Sequence, residues 1–131
     1  MAIRIVRLGT ARTAGEGVRL GTVRRPPRGV KKSDYGTLDF YDAWLPELAP
    51  SAALVKSIVG EAEVTPARWA KFAKRYRREM ADPERARLLD VLARLSGVAD
   101  FSVGCYCENE QRCHRSLLKE LLAEHGARIA G

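Results

Sequence analysis

No segment of the chain approaches the roughly 20 consecutive apolar residues that a membrane-spanning helix requires. Nor does the N-terminus carry the apolar block of a signal peptide. Both absences predict a cytoplasmic protein with no membrane partner. Cysteine and histidine are scarce, three and two in 131 residues, which argues against the disulfide framework of a small secreted domain. The odd cysteine count also leaves at least one thiol unpaired in a monomer. Internal repeats, low-complexity tracts and composition breaks are missing, so residues 1–131 read as one domain. A chain of this length has a real core, since one near 150 residues buries roughly 68–70% of its unfolded surface. Nothing in the sequence matches a zinc-finger pair, a Walker loop, an RNA-recognition motif or a helix-turn-helix.

What is present in excess is positive charge. Twenty-three Lys and Arg against sixteen Asp and Glu leave a formal charge of +7, which favours polyanionic partners through steering rather than recognition. Two runs concentrate it. Arg24 to Lys32 holds five basic residues and two adjacent prolines. Those prolines exclude a central strand or helix interior and predict an exposed, stiff loop. Arg68, Lys71, Lys74, Arg75, Arg77 and Arg78 line a predicted helix that starts at Thr65-Pro66, where a capping hydroxyl precedes a first-turn proline. Its apolar stripe is Trp69, Phe72, Tyr76 and Met80, read as core rather than as a stacking platform. A further helix should start at Asp82-Pro83, bury Leu88, Leu89, Leu92 and Leu95, and end at Gly97. Ala2–Leu8 and Val18–Val23 read as strands, Asp42–Ala49 as a helical turn or two, and Ala127–Ala130 as a short final strand.

All three cysteines fall within Cys105-Tyr-Cys-Glu-Asn-Glu-Gln-Arg-Cys-His-Arg-Ser116. A β-branched and aromatic run, Val98–Gly104, precedes this segment. Leucine pairs at helical spacing follow it and predict a helix ending near Gly126. The cysteines therefore occupy a strand-to-helix turn. In α/β sheets such turns sit at the carboxyl ends of strands, where ligands bind and helix N–H groups await an anion.

Three chemistries fit the turn. Cys105, Cys107, Cys113 and His114 supply the ligand types of a Cys₃His zinc site. Their spacing is not that of two Cys-x₂₋₄-Cys knuckles, and adjacent residues at a helix start project about 100° apart. A reactive thiolate is the second chemistry: Cys113, beside Arg112, His114 and Arg115, is the expected nucleophile or redox centre, with Cys107 as resolving thiol or alternative nucleophile. A phosphatase loop, Cys-x₅-Arg, is not present. The third chemistry is non-covalent, with backbone N–H groups, Arg112, Arg115 and Ser116 cradling a phosphate or carboxylate. Against all three stands plain burial of cysteine as core. His125, near a helix end where a cation suits the dipole, is assigned no catalytic role.

The order of motifs resembles the YeaO-like family of small bacterial proteins, domain of unknown function 488. The resemblance rests on Arg25-Pro-Pro-Arg-Gly29, Ala43-Trp-Leu-Pro-Glu-Leu-Ala-Pro-Ser51, Arg68-Trp-Ala-Lys-Phe-Ala-Lys-Arg-Tyr-Arg-Arg-Glu79 and Gly104-Cys-Tyr-Cys-x₅-Cys-His-Arg-Ser116. Pro26 stands where members commonly carry tryptophan. The resemblance implies a compact α/β fold and a pocket that joins the Arg-Gly loop to the Cys-His-Arg turn. It marks Arg28, Cys107, Cys113, His114, Arg115 and Ser116 as motif positions without established roles.

The expectation is a single Rossmann-like α/β domain with a small, largely parallel sheet and flanking helices. Its site would bind an anion, either a phosphate-bearing small molecule or nucleic acid. In an enzymatic version Cys113 attacks or undergoes redox chemistry, His114 handles a proton, and Arg28 and Arg115 hold the anion. No cofactor is expected in that version. The alternative is a non-catalytic module, either zinc-stabilised or a basic nucleic-acid adaptor.

Overall fold

The computed structural model describes residues 1–58, 64–107 and 113–130. Four strands, β1 (Ile3–Arg7), β2 (Val18–Gly21), β3 (Ala43–Trp44) and β4 (Phe101–Cys105), form one sheet. Their spatial order is β1-β4-β2-β3 and every pairing is parallel. The helices are α1 (Ala52–Lys56), α2 (Pro66–Met80), α3 (Pro83–Leu95) and α4 (His114–Glu124). The chain leaves the sheet after β3, builds α1 to α3, and returns to place β4 between β1 and β2. All five residues of β4 are buried, as expected for an inner strand of a parallel sheet covered on both faces.

Side chains alternate across the sheet. Ile3, Phe101 and Val103 join Phe72, Tyr76 and Met80 of α2, Leu89 and Leu92 of α3, and Leu117, Leu118, Leu121 and Leu122 of α4 in the main core. Another side of the sheet is held by Arg19, which is fully buried and paired with Glu16 (Nη2–Oε1 2.9 Å). Its Nη1 also donates to the Thr10 and Asp39 carbonyls at 2.9 and 2.7 Å. A buried pair is secure only when its remaining donors are satisfied. Here they fasten the β1–β2 connection and the segment before β3 to the sheet.

The helix starts follow the sequence signals. Thr65 Oγ1 accepts from the Arg68 N–H at 3.2 Å with Pro66 at the first position, and Asp82 precedes Pro83 at the start of α3. Gly126, at φ +93°, follows α4. Three expectations are corrected. Asp42–Ala49 holds one helical turn, the 3-10 turn Pro46–Leu48 with proline at its first position, but begins as β3, where Leu45 N–H bonds the Gly21 carbonyl at 2.8 Å. Leu95 ends the α3 stripe on the exposed side, with Leu88 only half-buried. The expected final strand reduces to one bridge, Ile129 to Ile3.

Candidate functional site

The carboxyl edge of the sheet is where β1, β2 and β4 end together. Cys105 closes β4, and Cys113 is the N-cap of α4, with an extended backbone and no capping bond from its side chain. Its sulfur turns inward to lie 2.7 Å from Cys105 Sγ. Both cysteines are buried in a second apolar cluster with Leu8, Val23 and Tyr41. Gly104 makes this packing possible: a Cβ there would stand 2.5 Å from the Val6 carbonyl oxygen and 3.0 Å from Leu8 Cδ2.

His114, the first residue of α4, is buried against the Tyr76 ring at a centroid distance of 5.7 Å. Its Nε2–H donates to the Thr22 carbonyl at 2.7 Å, since a carbonyl can only accept. That bond leaves Nδ1 as an acceptor facing Cys113 Sγ at 3.7 Å. Burial pushes the His114 pKa down, against the opposing pull of the Thr22 carbonyl, so the ring is neutral. Thr22 itself is buried, and both its N–H and its hydroxyl bond the Gly104 carbonyl, at 3.0 and 2.9 Å. β2 and β4 are thus clamped beside the histidine.

The third cysteine differs from the other two. Cys107 is exposed, and its thiol is pushed below its ordinary value, chiefly by the neighbouring Cys105 and Cys113 thiols, with the Arg115 charge adding to their effect. Cys105 and Cys113 are pushed the other way, Cys105 chiefly by Cys107 and Cys113 by Cys105 and Cys107. An exposed, lowered thiol beside two buried, raised ones favours reaction at Cys107 over the other two.

The remaining predicted residues are distributed unevenly. Arg115 is buried in the first turn of α4. Ser116 spends its hydroxyl proton on the Cys113 carbonyl at 2.8 Å. Arg112 lies outside the described residues. Arg28 is exposed on the loop after β2. It lines a groove of about 380 Å³ with Arg25, Pro26, Pro27, Phe40 and Tyr106. The Tyr106 hydroxyl donates to the Arg25 carbonyl at 3.0 Å, and its ring meets Phe40 edge-on at 6.3 Å. The Arg-Pro-Pro-Arg loop and the cysteine turn therefore share one surface.

Sequence reasoning missed Tyr106 and Arg7, whose Nε donates to the Tyr106 carbonyl at 3.2 Å. The tyrosine's place between two cysteines was the available signal. On α2, Lys71, Lys74, Arg75 and Arg78 are exposed, whereas Arg77 pairs with Glu120 and Glu124. Cys105, Cys113 and His114 have ligand atoms within 4.8 Å of one another and could hold a metal ion. Two thiolates on one tetrahedral zinc, with Zn–S near 2.3 Å, would stand roughly 3.8 Å apart. The observed sulfurs are closer than that.

A protein-family model, DUF488-N3a, described as the active DUF488-N3 subclade, matches residues 3–126. The chain belongs to the DUF488 family. No curated protein and no solved structure matches it. As a DUF488 protein it combines an all-parallel four-stranded α/β domain with a cysteine cluster at the carboxyl edge of the sheet. No helix among the described residues is long and apolar enough to cross a membrane.

Proposed function

We propose that this DUF488 protein binds a phosphate-bearing ligand at the carboxyl edge of its sheet and presents the Cys107 thiolate to it. The observation that carries this reading is the exposed Cys107 thiol, pushed below its ordinary value at the same turn as the buried Cys105–Cys113 pair. Cys113, the nucleophile expected from the sequence, becomes a supporting donor. It is buried and its thiol is raised, so reagents reach Cys107 first. Arg28 and Arg115 supply positive charge. Neutral His114 fixes the start of α4 through Thr22. The description of the matching subclade as active supports chemistry at this turn beyond binding. A reducing cytoplasm suits three cysteines kept as thiols.

Two alkylating reagents of equal size and opposite demand test the reading. Iodoacetamide is neutral and iodoacetate is anionic. In each, the thiolate forms the C–S bond as iodide leaves with the C–I pair. Free thiolates ordinarily prefer the neutral reagent, so a rate for iodoacetate equal to or above that for iodoacetamide reports an anion-attracting surround. Cys107→Ser should abolish the fast reaction, and Cys113→Ala, which removes the supporting thiol, should slow it by raising the Cys107 thiol. Rapid labelling that persists in Cys107→Ser overturns the assignment. One zinc per chain in native mass spectrometry, lost with the fold on chelation, favours the zinc-stabilised module instead.

A further inference from the structure

We infer that the groove beside Cys107 takes the base of a nucleotide, so that the phosphate-bearing ligand is a nucleotide unit rather than a simple phosphate or sugar phosphate. This rests on the reading of Cys107 and its neighbours as an anion site. The groove has two kinds of wall. Pro26, Pro27, Phe40 and Tyr106 supply flat apolar surface, and Arg25 and Arg28 add two cations. Neither guanidinium has a hydrogen-bond or ion-pair partner among the described residues. A bare phosphate needs no apolar wall, and a purely apolar ligand leaves two arginines unused. A ligand with a flat π-face and a negative charge uses both, because every base can stack on an aromatic ring or under a guanidinium.

The groove is also built before any ligand arrives. Tyr106 is fixed at its tip by the Arg25 carbonyl, at its backbone by Arg7, and at its ring by Phe40. Little ordering remains to oppose binding. At about 380 Å³ it lies in the range of small-molecule sites. Tyr106 directly precedes Cys107, so a base on the tyrosine wall lies one residue along the chain from the reactive thiol. Beyond Pro26 a second groove of about 520 Å³ is lined by Tyr35, Tyr41, Trp44 and Lys32. The nucleotide unit can therefore come from a free mononucleotide or from a single strand that continues across Pro26.

Protection of Cys107 from iodoacetamide, read on the full chain by mass spectrometry, tests this. The probes are the four 5′-ribonucleoside monophosphates, ribose 5-phosphate, inorganic phosphate and a ten-nucleotide single strand. The expected result is that at least one mononucleotide slows labelling tenfold or more at a concentration where ribose 5-phosphate has no effect. Tyr106→Ala should lose that difference. Arg28→Gln, at an exposed position that leaves the fold alone, should weaken protection by every nucleotide at least fivefold. Protection by the strand at a far lower nucleotide concentration assigns the unit to nucleic acid, and equal protection assigns it to the free nucleotide. Equal protection by ribose 5-phosphate and the nucleotides overturns the base site and leaves the anion site standing. No protection by any probe, with Cys107 still fast, also overturns it and leaves only the thiolate.

Discussion

The two histidines of this protein stand at opposite ends of α4, and the same residue type meets two different environments. His114 opens the helix at the carboxyl edge of the sheet, buried, neutral and bonded to a backbone carbonyl, with two buried sulfurs beside it. His125 follows the helix at the amino edge, where its Nδ1 meets the exposed Asp90 carboxylate at 2.5 Å. Each edge has a cleft, the amino one reaching about 520 Å³ with Arg94 and Arg128 in its wall. Cavity volume alone would favour the amino edge over the groove at Tyr106. Chain direction separates them. In a parallel sheet the carboxyl ends of strands and the N–H ends of following helices converge on one side, and only there does this chain bring cysteines together.

The largest expected effect concerns the sulfur at the carboxyl edge. An ordinary thiol with pKa near 8.5 loses about tenfold in alkylation rate per pH unit on acidification, roughly a thousandfold between pH 8 and pH 5. The Cys107 thiol is pushed below that value by its neighbouring thiols, so its rate should stay level far below pH 8. A rate that falls tenfold per unit from pH 8 downward would remove the thiolate and with it the functional distinction between the edges.

The histidines can be compared directly by deletion. His114→Ala removes a buried ring and strands the Thr22 carbonyl, and should cost about 2–4 kcal/mol in urea denaturation. His125→Ala removes a partner of an exposed carboxylate and should cost no more than about 1 kcal/mol. Equal costs would mean that burial at the carboxyl edge is not what holds His114. Next in size, Gly104→Ala drives a methyl into the Val6 carbonyl and Leu8, an overpacking worth about 1–3 kcal/mol.

Acid should also distinguish the two ends of α4. The unfolded chain takes a proton on His114 near the ordinary value of 6.5, whereas the buried ring resists it until lower pH. Stability from neutral His114 is therefore complete above about pH 6.5 and is lost as the pH falls toward the depressed folded value. The slope is at most about 1.4 kcal/mol per pH unit. Denaturation at pH 7.5 and 5.5 should show the loss in the parent and in His125→Gln. It should be missing in His114→Gln, whose amide can still donate to Thr22.

Much of this was legible in the sequence where the cause is local. Thr65-Pro66 and Asp82-Pro83 mark helix starts because a first-turn proline, joined at Thr65 by a capping hydroxyl, acts within one turn. The strand before Cys105 and the leucines after Ser116 place the cysteines between strand and helix without any tertiary knowledge. β3 was not legible. Its two residues lie beside β2 where Asp42 and Leu45 N–H bond the Arg19 and Gly21 carbonyls and the Trp44 indole bonds the Val23 carbonyl, contacts made across the fold. Which thiol is exposed was equally hidden. Cys113 looked best placed because arginines and a histidine surround it in sequence, yet the N-cap turns its sulfur inward onto Cys105. Tyr106 could not be joined to the Arg-Pro-Pro-Arg loop because 81 residues separate it from Arg25.

The smallest expected effect returns to the amino edge. Gly97 sits just past α3, within the same cleft as His125. A Cβ there would meet only the Arg94 carbonyl oxygen, at an ordinary 3.5 Å, and no left-handed backbone demands glycine. Gly97→Ala should therefore change stability by no more than about 0.5 kcal/mol, with a gain possible through the lower entropy of the unfolded chain. Set beside Gly104→Ala, it measures how closely each edge is packed without touching a titratable group. A cost for Gly97→Ala as large as for Gly104→Ala would show an amino edge as tightly built as the carboxyl one. The cleft around His125 and Asp90 would then need an explanation of its own, because close packing is maintained where displaced atoms matter.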